Sequence, residues 1–358
     1  MKHQNKMRFM LIGIFLLLLT RGNFAFGQDN KLFNVGYQIL DIKYQDDDCK
    51  PETLSVALWY PTAEKPHTYD YGGTAKGCVA FGAKPLEGAA YPFLLFSHGY
   101  GGCGTGSVFF TETLAAHGWI VACPDHHDEY SLVRIRKTGE KLKRLAFILS
   151  AKKIASSGPE DRHKYLYRLR EMDVAFRGLM ETELFTKLID KNRIAAGGHS
   201  FGGFTALGIS GTIKEFHNPL IKGVLLFSTG AGSYLFTDSE LASVRIPSML
   251  FMGKLEEKQK RGNKTMLELS SRLFNAMASP KYFLEIKGAN HFSFNNNLTD
   301  PLGIMPLCGT EKQFEIIRRY SIAFLEKYIA GKQNEGSILN QSDSMLASYL
   351  MDPLSNER

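Results

Sequence analysis

Three observations in this 358-residue sequence predict an α/β protein: a mainly parallel, eight-stranded sheet with helices on both faces. Strand-like apolar runs alternate with helix-like ones along the chain. No repeat or heptad breaks that alternation. The third observation is Gly197-Gly198-His199-Ser200-Phe201-Gly202-Gly203, which follows the short stretch Arg193–Ala196 and precedes Phe204–Ile209, a helical continuation. The order is strand, sharp turn, helix. Glycine is needed on both flanks because the chain reverses so tightly at the serine that a side chain there would meet neighbouring backbone. With 44% hydrophobic and 22% charged residues the composition is that of a core-forming soluble protein, not a disordered chain.

Residues 1–27 form a segment of their own. Lys2, Lys6 and Arg8 precede the apolar block Phe9–Leu19, and Ala25-Phe26-Gly27 offers a small-residue cleavage site, so a secretory signal peptide is expected. The block is too short to span a bilayer. Its removal takes away four basic residues and no acid, which lowers the formal charge from +7 to +3. The basicity therefore belongs largely to the leader, and no nucleic-acid partner is indicated.

The expected strands are Phe33–Tyr44, Leu54–Tyr60, Phe93–Ser97, Trp119–Cys123, Arg193–Ala196, Val224–Phe227, Met249–Met252 and Tyr282–Ile286, all within one domain at 28–330. Glycine, Pro66 and Pro85 make 62–91 a long surface loop. Phe314, Ile317, Tyr320, Phe324 and Tyr328 recur at helical spacing and predict a helix over Glu311–Ile329 covering the end of the sheet. From Gly331 to 358 the mostly polar chain is expected to be a tail. Residues 131–165 form a basic helical insertion: between 134 and 153 eight basic residues face only Glu140, with Leu142, Leu145, Phe147, Ile148 and Leu149 among them. A solvated helix over the sheet accounts for that pattern, and so does a cap in peripheral contact with anionic membrane. Five cysteines permit disulfides whose connectivity the sequence cannot give, and Cys123 lies in an apolar run suited to a buried thiol.

A serine nucleophile needs a base, an acid to orient it and donors for the oxyanion. For Ser200 the base is His291, in the turn after the last expected strand, where a loop histidine can reach back over the sheet. The acid is expected in Gly253-Lys254-Leu255-Glu256-Glu257, with Glu256 first, Glu257 its competitor and Asp238 a distant third. Upstream, Phe93–Ser97 breaks into His98-Gly99-Tyr100-Gly101-Gly102, whose amides suit an oxyanion hole. The expected donors are the N–H groups of Tyr100 and Phe201. His98 is expected to brace this turn. A phosphate-binding role for the same glycines lacks the following lysine. Pro124-Asp125-His126-His127-Asp128-Glu129 carries ligand-type side chains, yet consecutive polar residues rarely aim at one ion, and no metal is expected.

Together Leu58-Trp59-Tyr60-Pro61, Phe96–Gly101, Leu114–Ala122, Leu188–Ala195, Gly198–Gly203 and Gly288–His291 resemble the α/β-hydrolase superfamily. Within it they resemble the secreted platelet-activating-factor acetylhydrolases and bacterial dienelactone-hydrolase-like esterases. The resemblance implies a cofactor-free serine ester hydrolase acting on small-molecule or lipid esters, with Ser200 and His291 in the family's roles. Short acyl chains, as in acetyl phospholipids, are implied in the same way. One departure stands out: those acetylhydrolases take their acid from the loop after the preceding strand, where this chain has Phe227-Ser228-Thr229-Gly230 and no acid. A polyester or cutin-like hydrolase is the alternative within the class, and a catalytically silent binding protein is the alternative outside it.

Overall fold

Period-two side-chain alternation along the strands builds both faces of the central sheet from apolar residues. The computed structural model describes residues 32–353 apart from 47, 73–74, 137–143, 297–307 and 333–335. The expected leader at 1–27 lies outside the described residues. Strands run in chain order as β1 (Asn34–Gln45), β2 (Pro51–Thr62), β3 (His67–Asp70), β4 (Lys76–Phe81), β5 (Tyr91–Ser97), β6 (Ile120–Pro124), β7 (Ile189–His199), β8 (Ile221–Phe227), β9 (Ser248–Gly253), β10 (Lys281–Ile286) and β11 (Leu346–Asp352). The longer helices are α1 (Val108–Ala116), α2 (Arg144–Ser156), α3 (Tyr167–Glu181), α4 (Phe201–Leu207), α5 (Met266–Ala276) and α6 (Glu311–Tyr328).

The strand order is β11-β10-β9-β8-β7-β5-β6-β2-β1-β4-β3. From β10 to β6 every neighbouring pair is parallel. β2 joins β6 and β1 antiparallel, β4 joins β1 parallel, and β3 and β11 close the two edges antiparallel. One face of the sheet, with Leu95, Ala196, Leu226 and Met252, packs against Leu169, Met172 and Phe176 of α3, Phe204 of α4 and Leu269 and Leu273 of α5. The other, with Phe96, Ala195, Phe227 and Phe251, packs against Phe110 and Leu114 of α1 and Ile317, Tyr320 and Phe324 of α6.

Four expectations need correction. Among the described residues the sheet has eleven mixed strands, not eight. Residues 62–91 are not a bare loop, because they contain β3 and β4. These strands are short and mostly exposed, so they lack the apolar alternation that marks an inner strand. The segment beyond 331 is not simply a tail either, since β11 pairs with β10 along its whole length and Tyr349 stacks on Tyr282 with ring centroids 6.4 Å apart. Helix α6 lies on a sheet face rather than over its end, and its Phe314 ring stacks on Phe109 at 3.9 Å. All five cysteines are free thiols, with Cys103 and Cys123 buried.

Candidate active site

The carboxyl ends of parallel strands β5, β7, β8, β9 and β10 meet at one edge of the sheet, where α/β folds place their sites. Ser200 follows β7 directly and holds φ 55° and ψ −116°, a conformation that L-residues adopt only under constraint. The constraint is visible in the packing. A Cβ on Gly198 would strike the backbone of Gly202, and one on Gly202 would strike the Ser97 carbonyl, so both flanks must be glycine. The Ser200 N–H donates to the Phe227 carbonyl of β8 at 2.8 Å, which ties the turn to the sheet.

His291 opens the short helical turn after β10. Asn290 caps that turn, its side chain accepting from the Phe292 N–H at 2.8 Å. The His291 Nε2 lies 2.7 Å from the Ser200 Oγ, and its Nδ1 lies 2.9 Å from Oε2 of Glu256. Glu256 is fully buried in the turn after β9, and its Oε1 accepts the Gly253 N–H at 2.8 Å. Its two competitors point elsewhere. Glu257 pairs with Lys254, which lowers its pKa, and Asp238 pairs with Arg272 at 2.5 Å on the surface.

Two groups that sequence reasoning did not single out hold this arrangement. His199 Nε2–H donates to the His291 carbonyl at 2.9 Å, and its Nδ1 faces the Asn295 amide at 3.4 Å. Burial, helped by the nearby His291, pushes the His199 pKa down to about 3, so it stays neutral and acts as a fixed strut. Ser228, after β8, is the second. Its hydroxyl lies 2.5 Å from Glu256 Oε2 and 2.7 Å from His291 Nδ1. His199 was visible as the variable position of the glycine-flanked motif. Ser228 was marked only as the place where an acid is missing.

The expected oxyanion loop, 98–102, is pinned from behind. Arg168 of α3 is completely buried and grips Asp128 through Nε and Nη2 at 2.8 and 2.6 Å, while Nη1 donates to the His98 carbonyl at 2.8 Å. Asp128 Oδ2 also accepts the Gly101 N–H at 3.1 Å. Burial alone would raise the Asp128 pKa, but the Arg168 charge and hydrogen bonds hold it well below the usual carboxylate range. The Gly99 carbonyl accepts from His98 Nδ1–H at 2.7 Å and from the Gly102 N–H at 3.0 Å. Because a trans peptide directs its C=O and N–H oppositely, the Tyr100 N–H faces away from these donors. An added Cβ on Gly99 would stand 3.4 Å from the Ser200 Cβ, so the loop abuts the serine. Phe201 opens α4, where a first-turn N–H has no intrahelical partner.

The 124–129 ligand-type side chains diverge into protein contacts. Asp128 goes to Arg168, and His126 and His127 share Glu171 at 2.7 and 2.8 Å. Among the described residues no cluster of three or more such side chains could hold a metal ion. In the basic insertion, Arg134 donates to the carbonyls of His126 and Asp128, and Arg136 pairs with Asp41 at 2.9 Å, so neither is a free cation for a membrane. Phe147 of α2 stacks on Tyr100 with centroids 5.7 Å apart, while Leu145 and Leu149 are 71% and 57% exposed. Lys137, Lys141 and Lys143 lie outside the described residues. No helix among the described residues is long and apolar enough to cross a membrane.

A glycine-flanked serine at the carboxyl end of a parallel sheet, with a histidine and a carboxylate arriving from later strands, is the layout of the α/β-hydrolase fold. The family model "Platelet-activating factor acetylhydrolase, isoform II" matches residues 73–177. Platelet-activating factor acetylhydrolase of Cavia porcellus is 23% identical over 282 residues, covering 70% of this chain and 60% of that protein. The Bos taurus protein of the same name is 25% identical over 211 residues, or 52% and 44% of the two chains. The matched region thus spans 60% or less of these relatives' length. A ferulic acid esterase from Streptomyces cinnamoneus superposes with a TM-score of 0.65 at 16% identity, covering 89% of this chain and 96% of that one. The chain has the α/β-hydrolase fold and resembles the platelet-activating factor acetylhydrolases.

Proposed function

We propose that this chain is a serine carboxylic ester hydrolase that works through an acyl-enzyme on short-chain esters, with acetyl or oxidised phospholipids as its natural substrate class. The observation that carries the reading is the continuous chain Ser200 Oγ, His291 Nε2, His291 Nδ1, Glu256 Oε2, with links of 2.7 and 2.9 Å across the ring. A carboxylate can only accept, so it selects the tautomer with the proton on Nδ1 and leaves Nε2 free to take the serine proton.

Ser200 Oγ attacks the ester carbonyl as its proton passes to Nε2. The N–H groups of Phe201 and Tyr100 receive the developing oxyanion, and Glu256 stabilises the imidazolium. His291 then returns the proton to the leaving alcohol. Water, activated by the same nitrogen, releases the acid. The acyl and lipid preferences rest on the resemblance to the acetylhydrolases. Export through residues 1–27 and contact of α2 with anionic membrane belong to the same reading, the latter supported by exposed Leu145 and Leu149 beside Lys152.

Hydrolysis of p-nitrophenyl acetate tests the proposal. Ser200→Ala should lower kcat on the order of 10⁵–10⁶ in a folded protein. Near-normal turnover by that variant would exclude the serine mechanism.

A further inference from the structure

Ser228 is a buried hydroxyl whose two polar neighbours both belong to the proposed catalytic machinery. Its Oγ is 2.5 Å from Glu256 Oε2 and 2.7 Å from His291 Nδ1, and those two atoms are 2.9 Å from each other, so the three close a ring. The donors fix how that ring is wired. A carboxylate only accepts, so the Ser228 proton goes to Glu256 Oε2, and the Ser228 Oγ in turn accepts the His291 Nδ1–H, which it shares with Oε2. Wired this way, the hydroxyl favours the one histidine tautomer that leaves Nε2 basic toward Ser200.

The backbone is held for this purpose at a cost. Ser228 is one of three non-glycine residues with positive φ among the described residues, at 48°. Its N–H donates to the Phe251 carbonyl of β9 at 2.8 Å, while the preceding carbonyl, Phe227, takes the Ser200 N–H. One peptide step at the end of β8 therefore anchors the nucleophile on one side and the hydroxyl on the other.

We propose that Ser228 is a positioning residue for the Glu256–His291 pair, its hydroxyl holding the histidine tautomer that leaves Nε2 free toward Ser200. This rests on the reading given under Proposed function. One variant tests it. Ser228→Gly removes the hydroxyl where glycine is at ease with the backbone, so folding should be undisturbed. It should lower kcat for p-nitrophenyl acetate about tenfold with KM within twofold, whereas a residue serving structure alone would leave kcat unmoved. A Ser228→Gly enzyme within twofold of the parent overturns the proposal. The underlying reading fails separately: Glu256→Gln would then be as fast as the parent, or a fluorophosphonate would leave Ser200 unlabelled.

Discussion

At Ser200 the backbone holds φ 55° and ψ −116°, a conformation costing on the order of 1–3 kcal/mol for an L-residue. Glycine takes that conformation freely, so Ser200→Gly should unfold at a higher temperature than Ser200→Ala, although both lack the Ser200 hydroxyl. Equal melting temperatures would show the turn to be unstrained. The two adjacent glutamates make a second residue-scale prediction. Glu256→Gln keeps the cap on the Gly253 N–H but loses the charge at His291, and should lower kcat on the order of 10³–10⁴ with little change in KM. Glu257→Gln removes only a surface pair with Lys254 and should cost less than about tenfold. The reverse ranking would shift the acid by one residue. The sequence named Ser200 and His291 by strand ends and chain order, but Glu256 and Glu257 sit in one short helical turn and differ by which way it winds. Ser228 and His199 act through contacts with distant segments, which local pattern does not encode.

Among the elements, the loop 98–102 and the segment 125–128 are locked together by buried charge. Glu171 of α3 lies under His126 and His127. Burial would raise its pKa, but hydrogen bonds from the two histidines outweigh that and bring it from 4.5 down to about 2. A depressed carboxylate contributes stability that is fully present above pH 4.5 and is lost as pH falls through about 2. Glu171→Gln should therefore flatten the fall in stability over that window, as measured by urea denaturation at stepped pH. An unchanged slope would remove Glu171 from the acid response. Helix α2 makes a different prediction, since Leu145 and Leu149 are exposed next to Lys152 and Lys153. Replacing both leucines by serine should weaken binding to anionic vesicles and leave hydrolysis of a small soluble ester unaltered. Unchanged vesicle binding would make α2 an ordinary solvated helix. The inner strands were legible because apolar residues face both sides of the sheet. The strands β3, β4 and β11, at or next to the sheet edges, were not, because their partial exposure erases that signature.

The whole molecule depends on its last strand more than its polar surroundings suggest. β11 covers the edge of β10, the strand that leads to His291, and contributes Leu346 and Tyr349 against Tyr282 and Tyr320. Truncation after residue 330 should lower the melting temperature and promote aggregation through the bared edge, and a truncated protein as stable as the parent would return 331–358 to a dispensable tail. The fold brings a serine from β7, a carboxylate from β9 and a histidine from β10 to one point, and the central claim is that this point performs acyl transfer. The most direct measurement is to treat the folded protein with a fluorophosphonate probe and map the adduct by peptide mass spectrometry. A single adduct on Ser200 is expected, formed far more slowly in His291→Ala and absent in Ser200→Ala. A folded parent protein that takes no label, or takes it at another residue, would contradict it.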